Sequence, residues 1–159
     1  MENLNLKLVY RFLGVTAILN GLFMWLTLPI SFYYDESAKL GILNAGIITI
    51  AIGSLLFFFN KPDNKNIHKK EGYLIVTLGW LTLSFTGMLP YLLTESIPSV
   101  TNAFFETISG YSTTGSSILT DIESMPKGIL FWRSCTHWIG GPGIIILTIA
   151  ILPLLGIGG

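Results

Sequence analysis

Charged residues are scarce in this sequence of 159 residues. Only 11% of them are Asp, Glu, Lys or Arg, and 51% are apolar. An ordinary soluble domain carries about a quarter charged residues. The charges are too few to cover a water-soluble globule, which argues against a soluble enzyme. The mean hydropathy of +0.66 points instead to a membrane protein.

Cysteine and net charge are also in short supply. Cys135 is the single cysteine of the sequence, which excludes an intrachain disulfide and a cysteine-rich metal site. Nine basic residues balance nine acidic ones, so the formal net charge is zero. A protein that binds nucleic acid usually shows a strong basic excess, and we therefore expect no nucleic-acid partner.

Four charge-free stretches are long enough to cross a bilayer, for which a helix needs about 20 mostly apolar residues. They are 12–34, 40–59, 72–94 and 134–159. The first is longer than the apolar part of a signal peptide and no Ala-x-Ala-like site follows it, so we interpret it as a retained span. The sequence thus predicts an all-α integral membrane protein with four transmembrane helices.

The segment 95–133 is too polar to span a membrane and too apolar to be a simple loop. Ser99 is a good N-cap, and apolar residues then recur at helical spacing until Gly110, which is expected to end the helix. Residues 99–109 would form a helix of roughly 16 Å, about half a bilayer. Polar, glycine-containing chain follows, so we predict one re-entrant pore helix with an extended filter loop, buried in protein or lining water.

The polar loop after this helix offers backbone oxygen atoms rather than catalytic side chains. Thr113, Thr114, Gly115 and Ser116 are the candidate cation ligands, mainly through backbone carbonyls, with K⁺ held at Thr113 and Thr114. Potassium filters such as TVGYG use this chemistry. Gly115 would adopt a conformation barred to other residues, and the helix C-terminus would add negative partial charge. Taken alone, such a segment is also typical of a surface loop.

The distribution of basic residues predicts the orientation in the membrane. Six of them lie on the side of the N-terminus and three on the other side, so both termini are expected in the cytoplasm. The six are Lys7, Arg11, Lys61, Lys65, Lys69 and Lys70. Six of the nine acids then lie outside, where they would attract cations: Asp35, Glu36, Glu95, Glu106, Asp121 and Glu123.

Three stretches closely resemble the TrkH/KtrB superfamily of potassium uptake proteins, and its TrkH branch in particular. They are FFETISGYSTTGSS at 104–117, FWRSCTHWIGG at 131–141 and LTIAILPLLGIGG at 147–159. The resemblance implies an N-terminal helix pair with a cytoplasmic basic loop at 1–71, followed at 72–159 by the first span–pore loop–span repeat.

The resemblance also implies a function. It indicates uptake of K⁺, with Na⁺ as a second candidate ion, across the cytoplasmic membrane of a bacterium or archaeon, with no covalent cofactor and no enzymatic activity. It further implies a TrkA-like cytoplasmic nucleotide-binding regulatory subunit and a homodimer of the full-length protein.

A single filter loop cannot encircle an ion, and family members carry four repeats whose loops meet around one axis. We expect the chain to be the N-terminal portion of a longer protein, because it stops after an apolar run without Lys or Arg to anchor it. Two alternatives stay open: a homotetrameric cation channel made of further copies of the chain, and a non-conducting truncated subunit.

Glu106, Arg133 and Gly110 are expected to support the filter from behind. Charges at membrane depth are costly and pair with one another, and Arg133 is the nearest candidate partner of Glu106 in the sequence.

The last predicted span contains a candidate hinge. It consists of Gly140, Gly141, Pro142 and Gly143, although close helix packing explains the glycines equally well. The family usually has Met at the position of Pro142. Because proline removes a backbone donor, we expect it to break or sharply bend the span.

Overall fold

The protein is all-helical over residues 4–62 and 68–154, the part of the chain that this computed structural model describes. Seven helices follow one another in this part. They are α1 (Leu6–Trp25), α2 (Leu28–Tyr33), α3 (Ala38–Phe59), α4 (Lys69–Gly87), α5 (Leu89–Leu93), α6 (Val100–Tyr111) and α7 (Lys127–Leu154). Part of the sequence prediction lies outside the described residues. This part comprises Lys65 of the basic residues used for orientation, the acids Glu2 and Asp63 on the same side, and the end of the last motif, 155–159.

Three helical segments of the described chain are long and apolar enough to cross a membrane. They are Leu6–Tyr33, Ala38–Phe59 and Lys69–Leu93, and they correspond to the first three predicted spans. The first and third are each interrupted near a proline: Pro29 lies in the first turn of α2 and Pro90 in the first turn of α5. The first turn tolerates proline because its N–H groups have no partner inside the helix.

Helices α1 and α3 pack through small residues. A Cβ atom built on Gly14 would stand 2.6 Å from the Gly53 carbonyl oxygen, and one built on Gly53 would stand 2.7 Å from the Gly14 carbonyl oxygen. The two backbones therefore touch without side chains between them, as small residues permit in membrane helices. The N-terminal helix pair is consequently a close-packed unit.

Helix α6 is the half-length helix that the sequence predicts, and its N-cap is Ser99, whose Oγ accepts a hydrogen bond from Asn102 N at 3.4 Å. The predicted stop at Gly110 is wrong, because the helix runs two residues beyond 109 and ends at Tyr111. Gly110 lies inside the helix at a close contact, where an added Cβ would overlap the Thr136 hydroxyl. Its small size serves packing rather than helix termination.

The expected break at Pro142 is also wrong, because α7 is helical from Lys127 to Leu154. A proline inside a helix removes its own N–H bond to the carbonyl four residues earlier, and its ring crowds that carbonyl. Membrane helices tolerate this loss because neighbouring groups and small local adjustments satisfy the freed carbonyl.

Glu36 ties the N-terminal helix pair to the start of α7. One carboxylate oxygen accepts a hydrogen bond from Lys127 N, and the other accepts from Gly128 N and from Ser31 Oγ, both at 3.0 Å. Negative charge at a helix N-terminus satisfies free N–H groups and is favoured by the helix dipole. The carboxylate therefore caps α7 from a loop far away in the sequence.

Replacing Glu36 with Ala should lower the free energy of unfolding by about 1–2 kcal/mol, the usual range for a lost helix cap. Denaturant titration of the purified protein in detergent measures the effect. Glu123→Ala is the matched control, because Glu123 is an exposed acid near the same helix end. Equal stability of the two variants would contradict the capping role.

Candidate functional site

The four predicted cation ligands lie together in the loop that leaves α6. Thr113, Thr114, Gly115 and Ser116 follow the C-cap Ser112, and all four are exposed in this chain. The structure therefore places them on one short exposed segment at the C-terminal end of the half-length helix.

The N–H groups of this loop point back onto α6. Thr113 N donates to Gly110 O at 2.9 Å, and Thr114 N donates to Ser109 O at 3.0 Å. These two bonds form the Schellman arrangement that closes many helices. The same bonds occupy carbonyls of the last turn of α6, so less negative partial charge is available there than the sequence suggested.

Two residues of the loop adopt left-handed backbone conformations. Gly115 has φ +77°, which agrees with the expectation that this position needs glycine. Thr113 has φ +56°, a conformation that is costly for a β-branched residue and that persists only where the surroundings impose it. No signal in the sequence predicted a left-handed backbone at Thr113, since the left-handed position of a Schellman motif is usually glycine.

The carbonyl oxygens of the loop are largely unused. Among the described residues, no hydrogen bond reaches the carbonyls of Thr113, Thr114 or Gly115. Ser116 differs, because its carbonyl accepts a hydrogen bond from Ser109 Oγ at 2.6 Å. With its N–H groups turned to the helix and three carbonyls free, the segment can offer a row of neutral oxygen atoms to a cation.

Glu106 is buried behind the loop and is fully engaged. Its side chain is 1% exposed, and Oε1 lies 2.6 Å from Arg133 Nε of α7. The pairing expected from the sequence is thus present. The sequence did not indicate two further donors, Ser117 Oγ, at 3.0 Å from both carboxylate oxygens, and Ile118 N, at 3.1 Å from Oε2. The carboxylate therefore joins α6, the chain after the loop and α7.

The four residues of the candidate hinge are not equivalent. A Cβ on Gly140 would overlap the carbonyl oxygen of Tyr111, whereas one on Gly141 would meet none of the described residues within 4 Å. A Cβ on Gly143 would reach the Trp80 ring at 3.6 Å. Close packing, the second interpretation of these glycines, therefore applies to Gly140, where α7 touches the last residue of α6.

The sequence did not predict a buried hydrogen bond between Tyr111 and Asn20. Tyr111 OH donates a hydrogen bond to Asn20 Oδ1 at 2.6 Å, and both side chains are buried. Asn20 lies within the first charge-free stretch, where a buried amide needs a partner. That principle could have marked Asn20 as a paired residue, but not its partner, which lies far away in the sequence.

Comparison with known families identifies the chain. The TrkH family, described as cation transport proteins, matches residues 38–159. The chain belongs to the TrkH family. The resemblance seen in the sequence is thereby confirmed. TrkH relatives are ion transporters and not enzymes.

Individual TrkH relatives agree over nearly the whole chain. The Trk system potassium uptake protein TrkH of Salmonella typhimurium is 38% identical over 98% of this chain. An uncharacterized cation transporter of Methanocaldococcus jannaschii is 34% identical over 93% of it. The crystal structure of the potassium transporter TrkH from Vibrio parahaemolyticus covers 98% of the chain with a TM-score of 0.91 and 34% identity. The all-helical membrane-protein fold is therefore that of TrkH.

The matched relatives are much longer than this chain. It spans 32% of the Salmonella protein and 34% of the solved Vibrio chain. The arrangement described above thus corresponds to about one third of a TrkH polypeptide.

Proposed function

We propose that this chain forms the first part of a Trk-type potassium uptake protein in the cytoplasmic membrane of a bacterium or archaeon. In this proposal, 1–71 is the N-terminal helix pair, and 72–159 is the first of four repeats, each made of a span, a pore loop and a second span. Membership of the TrkH family and the potassium transporters among its relatives support the proposal. K⁺ is the cargo, and Na⁺ is the second candidate ion.

The loop from Thr113 to Ser116 is the proposed contribution to the ion filter. The single observation that supports this best is that three consecutive carbonyls, of Thr113, Thr114 and Gly115, are free of hydrogen bonds from the described residues. Backbone carbonyls can replace the hydration shell of K⁺ when several loops meet around it. Ser116 would contribute less, since Ser109 already donates to its carbonyl.

The other loops would come from the rest of the polypeptide. Relatives about three times as long as this chain favour one protein with further repeats over four separate copies or a non-conducting short subunit. Helix α7 would be the fourth span and α6 the re-entrant helix, entering from outside, with both termini in the cytoplasm as the basic residues predict. A TrkA-like regulatory subunit is the proposed cytoplasmic partner.

Glu106, Arg133 and Gly110 are the proposed support of the filter. The buried Glu106 carboxylate, paired with the partly buried Arg133, fixes the chain after the loop, and Gly110 lets Thr136 of α7 approach α6. These groups would act on the ion only through the loop, because none of them belongs to the free carbonyl row.

Replacing Gly115 with Ala tests the proposal. A residue with a Cβ disfavours φ +77° by about 1–2 kcal/mol, so the loop should rearrange and uptake should fall about tenfold. The measurement is Rb⁺ uptake by a potassium-auxotrophic host that expresses the full-length protein.

Gly79→Ala is the control for this experiment, because a Cβ at Gly79 of α4 would lie more than 4 Å from its neighbours in the described part of the chain. Its uptake should match that of the unmodified protein. Normal uptake by Gly115→Ala at equal membrane abundance would contradict the proposed filter.

A further inference from the structure

A series of hydrogen bonds joins α4, α1 and Tyr111, the residue before the C-cap of α6. Thr86 Oγ1 of α4 donates to Thr82 O at 2.7 Å, and it therefore accepts from Asn20 Nδ2 at 2.8 Å. The other end of the Asn20 amide, Oδ1, accepts from Tyr111 OH at 2.6 Å. The three side chains are thus joined through Asn20 Nδ2 and Oδ1, and this pattern of donor and acceptor fixes the orientation of the amide.

Water has no access to these hydrogen bonds. Asn20 is 1% exposed and Tyr111 is 0% exposed. A buried polar group that loses its partner pays its full desolvation cost, so the Tyr111 hydroxyl is held firmly at Asn20. The hydrogen bond thus fixes the position of the hydroxyl end of the Tyr111 side chain.

The rest of Tyr111 is confined as well. Gly87 of α4 lies against the ring, where an added Cβ would stand 2.8 Å from Cε2, and Gly140 of α7 lies against the carbonyl. Tyr111 is therefore held by α1, α4 and α7 together. The next residue is Ser112, which begins the loop, so any displacement of Tyr111 is passed to the carbonyl row.

We propose that Asn20 is a positioning residue for ion selectivity, through which the N-terminal helix pair sets the place of the filter loop. This inference rests on the proposed function. The partner helix α3 contributes rigidity, because Gly14 and Gly53 bring its backbone against α1. In this proposal the helix pair holds the filter loop in position, in addition to crossing the membrane.

Ion selectivity tests this role in the full-length protein. Asn20→Leu and Tyr111→Phe should each raise the ratio of Na⁺ to Rb⁺ uptake about fivefold, a common size for coupling between linked sites. The double variant should show no larger change than the larger single one, since both remove the same hydrogen bond. Thr16→Val is the control, because among the described residues the Thr16 hydroxyl bonds only the Phe12 carbonyl of its own helix.

A second measurement does not depend on transport. In a Cys135→Ala background, Ser112→Cys should react with a membrane-impermeant maleimide several times faster when Tyr111→Phe or Asn20→Leu is also present. Unchanged labelling together with an unchanged uptake ratio would overturn the positioning role. Failure of Rb⁺ uptake by the unmodified protein would overturn the proposed function instead, and the labelling rates would then decide the present inference alone.

Discussion

Replacing Arg133 with Gln is expected to lower the free energy of unfolding by about 3 kcal/mol, because it leaves the negative charge of the buried Glu106 carboxylate without its cation. The Glu106 carboxylate would keep Ser117 Oγ and Ile118 N but lose the cation at 2.6 Å. Equilibrium unfolding in denaturant measures the loss. Rb⁺ uptake should fall by more than tenfold in parallel, since the chain after the loop is held by the same carboxylate.

The exposed pair of Lys39 and Asp35 provides the matched control. Its N–O distance is also 2.6 Å, but the Asp35 side chain is 88% exposed. Solvent screens such a pair, so Lys39→Gln should leave stability and uptake unchanged. The double variant Glu106→Gln with Arg133→Gln should be less destabilised than the sum of the single variants. Full stability and uptake in Arg133→Gln would eliminate the supporting role of the pair.

Replacing Gly140 with Ala is expected to cost about 3 kcal/mol of stability, at the upper end for overpacking. The new methyl group would overlap the Tyr111 carbonyl oxygen, and backbone cannot rotate away as a side chain can. Helix α7 would have to move away from α6, and the carbonyl row next to Tyr111 would move with it. We expect Rb⁺ uptake to be lost with the packing.

Gly141→Ala separates packing from a hinge. A Cβ there has no neighbour within 4 Å in the part of the chain that the structure describes, so stability should stay equal or rise by up to about 1 kcal/mol through better helix propensity. A hinge formed by the four residues 140–143 would instead make both alanine variants alter gating. Equal loss of uptake in the two variants at unchanged stability would therefore favour the hinge and contradict close packing.

The parts of the fold that could be predicted from the sequence are those that depend on local patterns. The apolar stretches located the first three candidate spans, and Ser99 marked the start of α6 because an N-cap acts within three residues. The pairing of Glu106 with Arg133 followed from the cost of charge at membrane depth, which leaves few possible partners. The end of α6 was misplaced because a glycine can serve packing as well as helix termination.

Contacts between distant parts of the chain could not be predicted in this way. Asn20 and Tyr111 are separated by 91 residues, and so are Glu36 and Lys127. Each pair depends on how the helices pack, which periodicity does not contain. The left-handed conformation of Thr113 was hidden for another reason: threonine is a poor choice for it, and it accompanies the bonds of Thr113 N and Thr114 N to α6.

The cap on α7 has a consequence for biosynthesis. Glu36 is synthesised early, but its partner Lys127 N follows 91 residues later. At about 5–20 residues per second, translation supplies that partner only after several seconds. The N-terminal helix pair must therefore persist during synthesis on its own glycine contacts, and the carboxylate closes the assembly once α7 has arrived.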